Sequence, residues 1–202
     1  MPMALAFVTG AAVFLMAIAA RRDLGVSLRV GLPILATAIT ALAALFSMAS
    51  GALTPCIVLS ALFASCGLIA EIDRRHCLIP DPLVLAIALL ALAAPFEDAW
   101  VTRILGALLL AALFYGVRRA FAFSRLPDAL GLGDVKLATA MGAFLGPYFG
   151  LIAVAVAGIA TMSVLIASRA TSPPVADAGA PFGIGLAAAL AATAAARFWI
   201  TG

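Results

Sequence analysis

The sequence predicts an all-α fold: a polytopic transmembrane helix bundle of about eight spans with its N-terminus outside. Three observations carry this expectation. The 202-residue chain is 66% hydrophobic and only 10% charged, with a mean hydropathy of +1.23. Ordinary soluble domains are roughly half apolar and about a quarter charged. The apolar residues fall into runs close to the ~20 residues needed to span a bilayer as a helix. Short charged stretches separate these runs, and their basic residues follow a one-sided pattern.

The runs lie at about 3–20, 31–49, 53–72, 82–96, 101–122, 134–146, 148–168 and 181–200. The first could be mistaken for a signal peptide, since Ala17, Ile18 and Ala19 resemble a cleavage site. It lacks a positive leading region, however, and Arg21 and Arg22 follow it, which fits an uncleaved first span better. Segment 134–146 is short for the ~30 Å hydrocarbon core. It either tilts or joins the next segment through a tight turn at Gly146-Pro147, where proline removes a helix hydrogen bond. Gly142, Gly146 and Gly150 read as packing glycines, because small residues let membrane helices approach closely.

Alternating the eight segments from an outside N-terminus puts ten of the twelve Lys and Arg residues on the cytoplasmic side. They are Arg21, Arg22, Arg29, Arg74, Arg75, Arg118, Arg119, Arg125, Lys136 and Arg169, leaving Arg103 and Arg197 opposite. The reverse orientation would violate the positive-inside rule almost everywhere. Residues 1–202 are therefore expected to form one integral-membrane domain whose partner is the lipid bilayer. The net charge of +3 belongs to this topology. No basic patch interleaved with aromatics is present, so nucleic acid is not an expected partner. Cys56, Cys66 and Cys77 lack the spacing of a zinc or redox motif, and Cys56 and Cys66 read as small apolar helix residues.

Nine acids remain to be explained, since a carboxylate at a bilayer edge is costly. Asp23, Glu97, Asp98 and Asp177 fall in presumed loops, as solvated groups. Asp81, in Ile79-Pro80-Asp81-Pro82, reads as a helix N-cap with Pro82 at the first helical position. Asp128 follows Pro127 as a turn or cap residue. Glu71 and Asp73 share the end of the third segment but point about 200° apart on a helix. Taken alone, Asp73 is best explained as a surface partner of Arg74 or Arg75. Asp134, in Gly131-Leu132-Gly133-Asp134-Val135-Lys136, could likewise be an N-cap, with Gly131 and Gly133 permitting close approach of another chain.

The two acids gain meaning together, because the topology puts Asp73 and Asp134 at one membrane edge. Two close carboxylates cannot both ionise readily and share one proton. One can then act as base towards water while the other acts as acid, which is the chemistry of peptide hydrolysis without a covalent intermediate. The assignment of roles stays open, since such a pair titrates as a unit. Other chemistries are poorly served. His76 is the only histidine, reads as a polar loop residue, and excludes metal sites built from several histidines. No Walker-type loop is present, and no cofactor is expected.

The stretch from Asp73 through Ile79-Pro80-Asp81 resembles the first motif of type IV prepilin peptidases. Gly131-Leu132-Gly133-Asp134-Val135-Lys136 is similar to their second motif, Gly-x-Gly-Asp-x-Lys. Met141 to Gly146 resembles the helix that follows it, and Ala180-Pro181-Phe182-Gly183 the start of the last helix. The likeness covers about residues 55–200, with roughly sixty residues between the two aspartates. It implies a Gly-x-Gly-Asp aspartic endopeptidase of the bacterial inner membrane, cleaving the short basic leader of prepilins or pseudopilins at the cytoplasmic face. On that resemblance Asp73 and Asp134 are the catalytic pair. Gly131, Gly133 and Pro80 support the active-site loops, and Lys136 lies close by. A snorkelling interface lysine is the alternative for Lys136. The long cytoplasmic region with Cys-x-x-Cys found in bifunctional members has no counterpart here, so N-methyltransferase activity is not expected. The short form resembles peptidases of tight-adherence pilus systems.

Two other classes compete. An intramembrane Gly-x-Gly-Asp protease of the presenilin kind places its first aspartate mid-helix, unlike Asp73. A small proton-coupled transporter or scaffold could use the acids as ion sites, but no broken helix pair in matching halves is visible.

Overall fold

A computed structural model describes residues 53–94, 96, 98–123, 130–171 and 182–201. Every regular element among them is helical. They are α1 (Leu53–His76), α2 (Asp81–Leu90) with a 3-10 turn (Ala91–Ala93), α3 (Trp100–Phe123), α4 (Leu132–Thr171) and α5 (Phe182–Thr201). The expected segments 3–20 and 31–49 lie outside the described residues, and the placement of the N-terminus lies there with them. Trp100–Phe123 and Leu132–Ser163 are long and apolar enough to cross a membrane, and Asp81–Ala93 and Phe182–Phe198 are shorter apolar helices.

The long α4 is two helices. Gly146 has φ 73° and ψ 178°, which is not helical. A Cβ built on Gly150 would lie 3.6 Å from Gly142 Cα. Eight residues of unbroken helix would hold those positions about 12 Å apart. The chain therefore doubles back at Gly146-Pro147, giving antiparallel arms at 132–145 and 147–171. The positive φ requires glycine at 146, and Pro147 starts the returning arm without needing a hydrogen-bonded N–H. The tight turn expected at Gly146-Pro147 is thus present. Gly146 makes the turn itself, while Gly142 and Gly150 pack.

Contacts along the helices fix their directions. A Cβ on Gly142 would run into the backbone of Gly106 in α3, and one on Gly106 into the backbone of Gly142. The two backbones cross in direct contact, the close approach that small residues permit in membrane helices. Phe114 of α3 stacks near Phe182 of α5, with ring centroids 6.1 Å apart. At the opposite end, Phe96 meets Phe144 edge-on at 5.8 Å. One end of the bundle therefore gathers the end of α1 and the starts of α2, α4 and α5. The other gathers the 3-10 turn, the start of α3, the Gly146 turn and the end of α5.

That second end is held by two buried arginines. Arg103 donates to the carbonyls of Ala91, Ala94 (3.1 Å) and Phe96 (2.7 Å), closing the chain end that α2 leaves open. Arg197 donates to Leu145 O at 2.5 Å, the carbonyl just before the turn, and pairs with Asp98 at 2.6 Å. Its guanidinium also lies over the rings of Phe96 and Phe149, at 4.1 and 4.8 Å. This corrects the expectation that Asp98 is a solvated loop acid. A buried cation in an apolar bundle must be paired, and Asp98 is the residue that pairs it.

Along α2 and the first arm of α4, the lengths are modest. Ten helical residues and three of 3-10 turn follow Pro80, about 20 Å of rise, and residues 132–145 supply about 21 Å. The 24 residues of α3 reach further, about 36 Å. The core runs between these helices through Ile72, Leu83, Ile87, Leu110, Leu137, Phe144 and Leu190, all essentially inaccessible.

Candidate active site

Four helix ends meet at the first-named end of the bundle. The last turns of α1 carry Glu71, Arg74 and Arg75 on one face and Asp73 on another. Glu71 takes both arginines, Arg74 at 3.1 Å and Arg75 in a close ion pair. Asp73 is thereby left to the interior, and only 5% of it is exposed. The surface pairing with Arg74 or Arg75 that explains Asp73 in isolation is made by Glu71 instead. The 200° offset between the two acids is the reason: only one can face the arginines.

The buried Asp73 carboxylate meets the N-terminus of α5. Ile184 N–H donates to Oδ2 at 3.0 Å, and the Gly183 N–H also faces the carboxylate. The first N–H groups of a helix have no partner within it and carry the positive end of its dipole, so they suit an anion. Gly183 has to be small for this. A Cβ there would sit 2.7 Å from Asp73 Oδ2 and 2.9 Å from Ile79 Cδ1.

Asp134 lies in the first turn of α4, which begins at Leu132. It is not the N-cap. Its Oδ2 reaches back three residues to accept the Gly131 N–H at 3.1 Å, the acid half of a capping box. Gly133, one residue earlier, leaves room for Ile79: a Cβ on Gly133 would be 2.9 Å from Ile79 Cβ. Ile79 therefore packs between Gly133 beside Asp134 and Gly183 beside Asp73. The two carboxylates flank this wedge.

The α1–α2 link sets the wedge. Cys77 adopts φ 49° and its N–H closes on Asp73 O at 2.8 Å, ending α1. Pro80, with φ −69° and ψ 127°, is the extended N-cap of α2, and its carbonyl accepts from Leu83 and Val84. Pro80, not Asp81, caps α2, and no side chain makes a cap bond there. Asp81 is the first helical residue and uses its carboxylate otherwise. Lys136 Nζ donates to Asp81 Oδ1 at 2.7 Å and to Oδ2 at 2.8 Å. Lys136 thus pairs with Asp81 across the starts of α2 and α4.

The model of the type IV leader peptidase family matches residues 60–166, more than half of the chain. The chain belongs to the type IV leader peptidase family. Comparison with curated proteins and with solved structures returns no match. The family match spans Asp73, Pro80, Gly131, Gly133, Asp134 and Lys136. It stops before α5, whose backbone holds the Asp73 carboxylate in this leader peptidase. Sequence reasoning did not assign Gly183, Ile184 or Ile79 to the site. The Pro-Phe-Gly likeness at the start of α5 marks the right place, but a contact from Asp73 to a backbone 111 residues away leaves no trace in spacing. Among the described residues, no three His, Cys, Asp or Glu side chains cluster as metal ligands would.

Proposed function

We propose that this leader peptidase is an aspartic endopeptidase that removes the short basic leader of a type IV prepilin or pseudopilin at the cytoplasmic face of the bacterial inner membrane, using Asp73 and Asp134. The observation that carries this reading is the convergence of two helix-end carboxylates on one wedge, Ile79. Two carboxyl groups brought together over a substrate share a proton. One activates water, and the other protonates or hydrogen-bonds the scissile amide.

The setting supports the same reading. The exposed Arg74, Arg75 and Arg119 and the exposed Lys136 fall at the carboxylate end of the bundle, whereas Arg103 and Arg197 are buried at the other. By the positive-inside rule, that asymmetry supports a cytoplasmic position for the carboxylates. A leader that stays in the cytoplasm, ahead of an apolar helix, would present its junction at this depth.

The test is co-expression with a candidate prepilin, reading leader loss as a gel shift. Asp73→Asn and Asp134→Asn are each expected to lower cleavage by about a hundredfold or more, at unchanged protein level. Normal processing by either variant would remove that residue from the pair.

A further inference from the structure

Lys136 and Asp81 belong to the two separate motifs that bring the aspartates, and they are joined to each other. Lys136 is two residues beyond Asp134 on α4. Asp81 is two residues beyond Ile79, at the start of α2. Lys136 Nζ bonds both carboxylate oxygens, at 2.7 and 2.8 Å, with the two side chains 50% and 68% exposed. An exposed pair of this kind contributes little to folding stability. Its position is what distinguishes it.

Directly beside the pair, the outer surface where α2 meets α4 opens into a groove. This open apolar groove of ≈ 350 Å³ is lined by Val84, Leu85, Ala88, Thr139, Ala140 and Ala143, with Asp81 and Lys136 at its rim. The core holds the two helices together from the inner side through Leu83, Ile87, Leu137 and Met141. At their starts, beside the aspartates, Ile79 packs against Gly133 and the ion pair joins the exposed side. The apolar wedge sets how closely the two starts approach, and the ion pair adds a directional contact on the outer side of it.

We propose that Asp81 and Lys136 are positioning residues, a tie that draws the α2 start onto the first turn of α4 and so sets the distance of Asp134 from the Asp73–α5 corner. The tie acts through Ile79 and Asp134 and does not touch the scissile bond. It rests on the reading of Asp73 and Asp134 as the catalytic pair. Displacing a reacting group by about 1 Å can cost about a hundredfold in rate, so a weak tie at this point has a larger effect on turnover than on stability.

The experiment is steady-state cleavage of a prepilin by the full-length protein in detergent or liposomes. Asp81→Asn and Lys136→Gln are each expected to lower kcat by about tenfold to a hundredfold, with KM within about twofold. The neutral double variant is expected to be no worse than either single one. The exchanged variant, Asp81→Lys with Lys136→Asp, is expected to recover most of kcat. The unmodified protein gives an arm that needs no variant to fold: about 1 M salt screens an exposed pair and is expected to lower its kcat, while leaving that of the neutral double variant unchanged. Unaltered kcat in the single variants, or losses that add in the double variant, would overturn the tie while leaving the peptidase reading intact. If the unmodified protein cleaves no prepilin, the peptidase reading falls and the tie falls with it.

Discussion

Gly183 and Asp73 illustrate how one missing side chain shapes the site. The Asp73 carboxylate lies against Gly183 and accepts the Ile184 N–H. Gly183→Ala puts a methyl 2.7 Å from Asp73 Oδ2 and 2.9 Å from its Cγ, closer than real Cβ atoms come. Alanine is a better helix former than glycine by about 1 kcal/mol, so the helix itself does not suffer. The carboxylate must move instead. Leader cleavage by Gly183→Ala is expected to fall by about tenfold or more, with the protein still accumulating in the membrane. Cleavage within twofold of the unmodified rate would mean that the Asp73–α5 contact is not needed. At this scale the sequence was informative about Asp73 and Asp134, because their motifs are local. It was silent on what Asp73 touches. It also gave Asp81 the wrong partner, since Asp-Pro looks like a helix start whether or not the carboxylate is free to pair with a lysine on α4.

Among elements, the Gly146 turn matters most, for it converts one long apolar stretch into two antiparallel arms. Proline and glycine side by side mark the break in the sequence. The partners of the break could not be read there. The Leu145 carbonyl is taken by Arg197 from α5, and Arg197 is balanced by Asp98, an acid that looks like loop decoration. Removing one member of a buried ion pair leaves the other uncompensated and costs about 3–5 kcal/mol. Arg197→Met is therefore expected to lower the thermal midpoint in detergent by several degrees or to reduce accumulation. Stability equal to that of the unmodified protein would show that the Arg197 network is dispensable. The α3–α4 crossing is a second element-scale test. In Gly142→Leu the side chain starts where the Gly106 backbone already lies, and overpacking of this kind typically costs about 1–3 kcal/mol. A melt unchanged by Gly142→Leu would mean that the crossing relaxes freely. The segment boundaries read from hydropathy fall within a few residues of the helices in the region described, because lipid-facing apolar runs report length directly. The second carboxylate's position relative to the first is a tertiary fact, and no run length encodes it.

Viewed as a whole molecule, the leader peptidase has unequal helices. α2 with its 3-10 turn and the first arm of α4 rise about 20 Å each, against about 36 Å for α3 and the ~30 Å of a typical hydrocarbon core. Asp81 and Asp134 stand at the starts of the two short ones. A bilayer meeting a stretch shorter than itself thins around it, at a cost that grows with each ångström of mismatch. Helices this short are expected to dimple the lipid around them, drawing headgroups and water down towards the carboxylates. A substrate held in the same bilayer would find its cleavage junction wetted there without having to leave the membrane or unwind far into it. The peptidase should accordingly work fastest in thin membranes. Cleavage rates in liposomes of increasing acyl-chain length are expected to fall once the bilayer exceeds the depth that the short helices can impose, and a rate indifferent to chain length would show that water reaches the site by another route.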